Sequence, residues 1–185
     1  MERNQIRRLV YAAMCVALGV VLPIAFHSVP NAGSVILPMH IPVLLGGLLC
    51  GWPYGLACGI LAPLFSSLFT GMPPMAYLPS MLFELATYGL VAGLLTQFIH
   101  TGRRMADIYI QLAGAMLAGR IVYGVLNAFI FSAGKYSLAI FVSGAFVTAL
   151  PGIIIQLVLL PAIILAMEKS GIVDRGQTRQ IHRLQ

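Results

Sequence analysis

Residues 9–26 read LVYAAMCVALGVVLPIAF, with Arg3, Arg7 and Arg8 just ahead of them. The run is longer than the 7–15 residue apolar region of a signal peptide. Ala25 to Ser28 gives no A-x-A cleavage pattern, so the run reads as a retained membrane span. The rest of the chain has the same character. Its 185 residues are 59% hydrophobic and 9% charged, with a mean hydropathy of +0.94. Soluble domains carry about 25% charged residues. The composition therefore excludes disorder, a secreted disulfide scaffold and most soluble enzymes. It leaves an all-α integral membrane bundle.

Outward from the first run, apolar stretches alternate with breakers. They predict six transmembrane helices at about 9–26, 38–50, 54–69, 77–99, 106–132 and 138–167, within one membrane domain over 1–185. Gly51, Trp52 and Pro53 make a tight turn, and Thr70-Gly71-Met72-Pro73-Pro74 is a clear stop. Pro151 and Pro161 are candidate kinks in the last helix. The second and third helices are short for a bilayer core that takes about 20 residues. Two abbreviated, tilted spans are preferred to one re-entrant pair, because six spans place both termini on one side.

Charge supports that count. Arg3, Arg7, Arg8, Arg103, Arg104, Lys169, Arg175, Arg179 and Arg183 fall on one side, and Lys135 alone on the other. Lys and Arg collect in cytoplasmic loops, so the N and C termini are expected to be cytoplasmic. The net charge of +6 has the same origin. No basic stripe interleaved with aromatics suggests nucleic acid. No extramembrane domain is expected, since the longest loop is short.

The two informative charges are Glu84 and Arg120, each inside a predicted span. A charge near the bilayer centre costs about 2.5–3.5 kcal/mol even on lenient scales, so each needs a partner, a cavity or a ligand. A salt bridge between them and contact with a polar ligand are equally weighted readings, with snorkelling of Arg120 a third. Tyr123 and Asn127 are four apart and share a helix face with Arg120, as Tyr88 does with Glu84. His40, in Pro38-Met39-His40-Ile41-Pro42, either caps a helix or binds a carboxylate or amide. Ser66, Ser67 and Thr70 stand at a broken helix end, where hydroxyls either bind a small molecule or bond back to their own helix. These residues make a candidate substrate site of His40, Ser66, Ser67, Glu84, Tyr88, Arg120, Tyr123 and Asn127. No catalytic set is expected. No metal site is expected either: His27 and His40 lack acidic or cysteine company, and Cys15, Cys50 and Cys58 read as packing residues. In the first helix, Ala13 and Ala17 put small residues on one face, suited to close helix packing inside the chain or against another subunit.

With LPMHIPVLLGGLLCG at 37–51, GMPP at 71–74, FELATYGLVAG at 83–93, six spans and basic termini, the chain resembles the substrate-binding S components of energy-coupling factor (ECF) vitamin transporters. The resemblance covers almost the whole chain. It implies a subunit that binds a small water-soluble vitamin from outside and topples in the membrane. It implies partners as well: a transmembrane coupling subunit, on which Ala13 and Ala17 would dock, and two ATPase subunits that use ATP and magnesium. The chain itself has no Walker A motif and needs no cofactor. The loop after the first helix is implied to help close the pocket. Pantothenate is the vitamin most resembled, with Arg120 suited to its carboxylate and Ser66, Ser67, Tyr123 or Asn127 to its hydroxyls and amide. Niacin or another anionic vitamin would suit the same groups. The implied location is the plasma membrane of a prokaryote. The competing readings are a self-sufficient proton-coupled carrier built on Glu84 and an intramembrane enzyme using Glu84, His40 and Arg120.

Overall fold

The computed structural model describes residues 2–26, 32–131 and 137–172. Its elements are α1 (Glu2–Ala25), α2 (Ala32–Val35), α3 (His40–Cys50), α4 (Trp52–Thr70), α5 (Leu78–Phe98) and α6 (Arg104–Leu126). A π-helical continuation, Asn127–Phe131, extends α6. Then come α7 (Leu138–Val142), a second π-helical segment, Ser143–Thr148, and α8 (Leu150–Lys169). No strand occurs among the described residues. His27, Lys135, Arg175, Arg179 and Arg183 lie outside them.

Six described segments are long and apolar enough to cross a membrane: Asn4–Ala25, Gly33–Cys50, Trp52–Thr70, Leu78–Phe98, Arg104–Phe131 and Leu150–Lys169. Large apolar side chains point outward along them, among them Leu9, Leu68, Phe129 and Val158. Such a surface suits lipid and not water. The chain is an all-α, multi-pass membrane bundle.

Prolines and glycines set the boundaries. Pro53, Pro79 and Pro151 fall in the first turns of α4, α5 and α8, where no backbone N–H is required. Gly71 closes α4 with a left-handed φ of 71°, and its N–H donates to the Ser67 carbonyl at 2.9 Å. At the start of α6, the Thr101 backbone N–H and hydroxyl both donate to Asp107 Oδ1, each at 2.7 Å.

Two of the expected spans differ from the observed ones. The last, 138–167, is not one helix: a turn at Ala149 separates 138–148 from α8. The ring of Pro151 would meet the carbonyl four residues back, so the chain restarts a helix at Leu150 instead of kinking through. Pro161 stays inside α8. The second span, expected from residue 38, has only 11 helical residues in α3, a rise of about 16 Å against a core of about 30 Å. Its crossing length is reached only with the segment from Gly33.

The centre is α3, α4 and α5, brought to backbone contact by glycine. A Cβ on Gly89 would lie 2.0 Å from the Gly55 carbonyl oxygen, and one on Gly59 would lie 2.3 Å from that of Leu85. These two contacts fix the antiparallel register of α4 on α5. Next to them, α1 packs by Ala12, Cys15 and Gly19, while Ala13, Met14, Ala17 and Leu18 face out. Every fourth residue of α8 is buried, from Gly152 through Gln156, Leu160 and Ile164 to Glu168. At the end where α6 begins, Arg104 donates to Glu168 Oε1 from Nε at 2.8 Å and from Nη2 at 2.5 Å. Arg7 and Tyr11 of α1 both donate to the Ile172 carbonyl beyond α8, tying α1 to α8 there.

Candidate functional site

The residues expected to be exceptional in the membrane converge on one point. Glu84 and Tyr88 stand one turn apart on the buried face of α5, Arg120 projects from α6, and His40 opens α3. Arg120 Nη1 lies 3.0 Å from Glu84 Oε1, and His40 Nε2 lies 3.5 Å from the same oxygen. The His40 and Tyr88 rings meet edge to face with centroids 5.0 Å apart. Tyr88 also interacts with the Glu84 carboxylate. Gly119, beside Arg120, makes room for this ring: a Cβ there would sit 3.1 Å from three Tyr88 ring atoms.

The cluster is dry. His40 and Glu84 are each 3% exposed, Tyr88 1% and Arg120 7%. Opposite charges so deep in an apolar bundle depend on each other, and removing either strands the other. The salt-bridge reading of Glu84 and Arg120 is what the geometry contains. It does not use up the groups. Nδ1 and Nε2 of His40 and Nε and Nη2 of Arg120 are buried without a hydrogen-bond partner, and even Glu84 Oε1 receives no aligned hydrogen bond despite the short distances. Buried polar groups are normally satisfied, so this concentration makes the cluster the candidate site.

The other candidates divide. Asn127 is buried one to two turns along α6 from Arg120, with its Nδ2 donating to the Tyr123 carbonyl at 2.8 Å. Tyr123 is half-buried on the same stretch. Ser66 donates to the Met72 carbonyl at 2.7 Å and Ser67 to that of Pro73 at 3.0 Å. Both hydroxyls thus strap down the loop after α4 and do not bond back to their own helix. Only Thr70 bonds back to its own helix, at Ser66, at 2.6 Å. With Gly59 against Leu85 and Ala86, Ser66 comes level with the first turn of α5, about 9 Å along the helix from Glu84. Among the described residues, no group of three or more His, Cys, Asp or Glu is placed to hold a metal ion. Cys15, Cys50 and Cys58 are buried and free.

Gln156 is absent from the residues expected at the site. It is 1% exposed, and its Nε2 has no hydrogen-bond partner. A signal for it exists: it is the only polar side chain in LPGIIIQLVLLPAIILA, residues 150–166. An uncharged amide draws less attention than a carboxylate, although it too needs a partner in the membrane.

A family model described as ECF transporter, substrate-specific component, matches residues 7–164. No curated protein and no solved structure matches the chain.

Proposed function

The chain belongs to the family of substrate-specific components of ECF transporters: it is a substrate-binding transport subunit and not an enzyme. From that premise we propose that its substrate is a small water-soluble vitamin, with pantothenate first and niacin second. The observation that carries this reading is the buried group of His40, Glu84, Tyr88 and Arg120, three of whose members present charge or donors inside an apolar bundle. Arg120 suits a carboxylate, and Tyr123 and Asn127 extend the same helix face for hydroxyl and amide groups. Ser66 and Ser67 would act with the lone pairs left after they donate to the 71–74 loop, or through that loop.

The proposed orientation places both termini in the cytoplasm of a prokaryotic cell, following the clustered Lys and Arg. Glu84 then lies nearer the outer than the cytoplasmic end of α5. Ala13 and Ala17, on the outward face of α1, leave a smooth strip on which the coupling subunit docks. Two partner ATPases would supply ATP and magnesium chemistry. The experiment has two stages. Purified protein is titrated with pantothenate, nicotinate and other vitamins; then uptake is measured in cells with and without coexpressed coupling and ATPase subunits. Binding by the isolated chain, with uptake only when the partners are present, is the expected result. Uptake by the chain alone in liposomes under a proton gradient would replace this reading with that of a self-sufficient carrier.

A further inference from the structure

Arg120 reaches Glu84 with Nη1 alone. Its Nε and Nη2 are the two buried nitrogens without a hydrogen-bond partner. Their N–H bonds run parallel along one edge of the planar guanidinium, the edge that takes both oxygens of a carboxylate at once. Glu84 therefore balances the charge of Arg120 from the Nη1 side and leaves the Nε and Nη2 edge unused.

Gln156 comes to the same level from α8. Arg104 and Glu168 join α6 and α8 at one end. Counting from that pair at about 1.5 Å per residue, Arg120 stands about 24 Å along α6 and Gln156 about 18 Å along α8, roughly one turn apart. The other end agrees. Gly152 packs against the Val35 and Ile36 carbonyls, just ahead of α3, and Gln156 lies one turn further along α8 on the same buried face. Among the described residues, the buried side-chain nitrogens without hydrogen-bond partners are those of His40, Arg120 and Gln156, all near this level. At this level Glu84 Oε1 is the one acceptor that also lacks a hydrogen bond, and it already faces Arg120 and His40, so the complement of the remaining nitrogens is a ligand that brings acceptors.

We infer that the substrate carries a carboxylate held side-on by the Nε and Nη2 edge of Arg120, and that Gln156 is a further specificity-determining residue that donates to a second oxygen of the same molecule. The inference rests on the substrate-binding reading above and narrows it: a neutral or cationic vitamin does not satisfy the fork.

The test uses the full chain in detergent or nanodiscs and two matched pairs of probes, pantothenate with pantothenol and nicotinate with nicotinamide. At least one acid should bind, and its neutral partner about 100-fold more weakly, the loss expected when a charge-assisted bidentate pair goes unmade. Arg120→Lys, which keeps the charge facing Glu84 and loses the fork, should weaken the acid to a similar extent. Gln156→Leu should weaken it about tenfold while leaving the thermal midpoint of the ligand-free protein unchanged or higher, because a buried unsatisfied amide has been removed. A structural role for Gln156 would lower that midpoint and spare affinity. Equal binding of acid and neutral partner, no binding of either acid, or a preference for thiamine or riboflavin would overturn the carboxylate assignment. None of these results decides whether the chain works with coupling subunits. Conversely, loss of partner-dependent uptake with acid-selective binding intact would sink the transport reading and leave this one standing. If Arg120→Lys does not fold, the comparison of each acid with its neutral partner on the unaltered chain decides between the outcomes.

Discussion

Arg120 and Glu84 meet at 3.0 Å through one nitrogen and one oxygen, 7% and 3% exposed, where α6 crosses α5. The contrast is with Arg104 and Glu168, where two guanidinium nitrogens donate to one oxygen. One pair is closed by two hydrogen bonds to Glu168 Oε1 and ties helix ends together. In the other, Nε and Nη2 of Arg120 are left without a hydrogen-bond partner in the middle of the bundle.

That contrast leads to a double-mutant cycle. Removing one partner of a buried ion pair strands the other, at a cost of about 3–5 kcal/mol. Arg120→Leu and Glu84→Leu should each destabilise the ligand-free protein by that order, while the double variant carrying both should recover most of the loss, since apolar packing replaces both charges. Thermal unfolding of the four proteins in one detergent reads the coupling directly. Additive losses would show that the two side chains are energetically independent.

The faces of α1 make a sharper forecast than spacing alone. Ala13 and Ala17 point out of the bundle, whereas Ala12 is 6% exposed and Gly19 would bring a Cβ within 2.7 Å of that of Ala62. Ala13→Trp and Ala17→Trp should leave folding and vitamin binding within twofold of the unaltered chain and abolish partner-dependent uptake. Ala12→Trp and Gly19→Trp should fail at folding itself, seen as loss of a monodisperse peak in size-exclusion chromatography. Normal uptake by Ala17→Trp would remove the docking assignment.

The physical reasons for what the sequence discloses are visible in individual residues. Long apolar runs broken by Gly51-Trp52-Pro53 and Thr70–Pro74 mark helices whatever their neighbours do, so the all-α membrane bundle is legible. The break at Ala149 is not, because the sequence on both sides stays apolar and Pro151 signals a kink as well as a start. Glu84 and Arg120 are recognisable as charges out of place, but their meeting depends on the register of α5 and α6. That register rests on small residues such as Gly119, which single-helix periodicity does not reveal. Ser66 and Ser67 illustrate the reverse: a hydroxyl at a helix end has several acceptors in reach, and only the path of residues 71–74 selects Met72 and Pro73.

Gly89 tests the close packing that holds the site. A Cβ there would sit 2.0 Å from the Gly55 carbonyl oxygen, and backbone cannot yield as a flexible side chain can. Gly89→Ala should therefore force α4 away from α5 and cost several kcal/mol, in the range of about 1–3 or more for an overpacked core. Gly144→Ala, with nothing within 4 Å of the added carbon, should be silent. Expression yield and thermal midpoint compare the two. An unaffected Gly89→Ala would mean the α4–α5 contact is looser than the backbone approach indicates.

The loop after α4 provides the last test, because it separates two roles for the same hydroxyls. Ser66 and Ser67 each donate one hydrogen bond to a carbonyl of the 71–74 loop, and each such bond contributes about 1 kcal/mol net. Ser66→Ala and Ser67→Ala should each lower the unfolding free energy by about that amount and speed hydrogen exchange at the loop amides of Gly71, Met72 and Met75. If the serines serve the substrate only by fixing the loop, Ser67→Ala should reduce affinity in proportion to that loosening, and Ser67→Cys, a poorer donor of nearly the same size, should fall between. If their oxygens accept a hydrogen bond from the substrate as well, affinity should drop further than loop exchange accounts for. Titration and exchange on the same samples distinguish the two, and unchanged affinity in both alanine variants would take Ser66 and Ser67 out of the site.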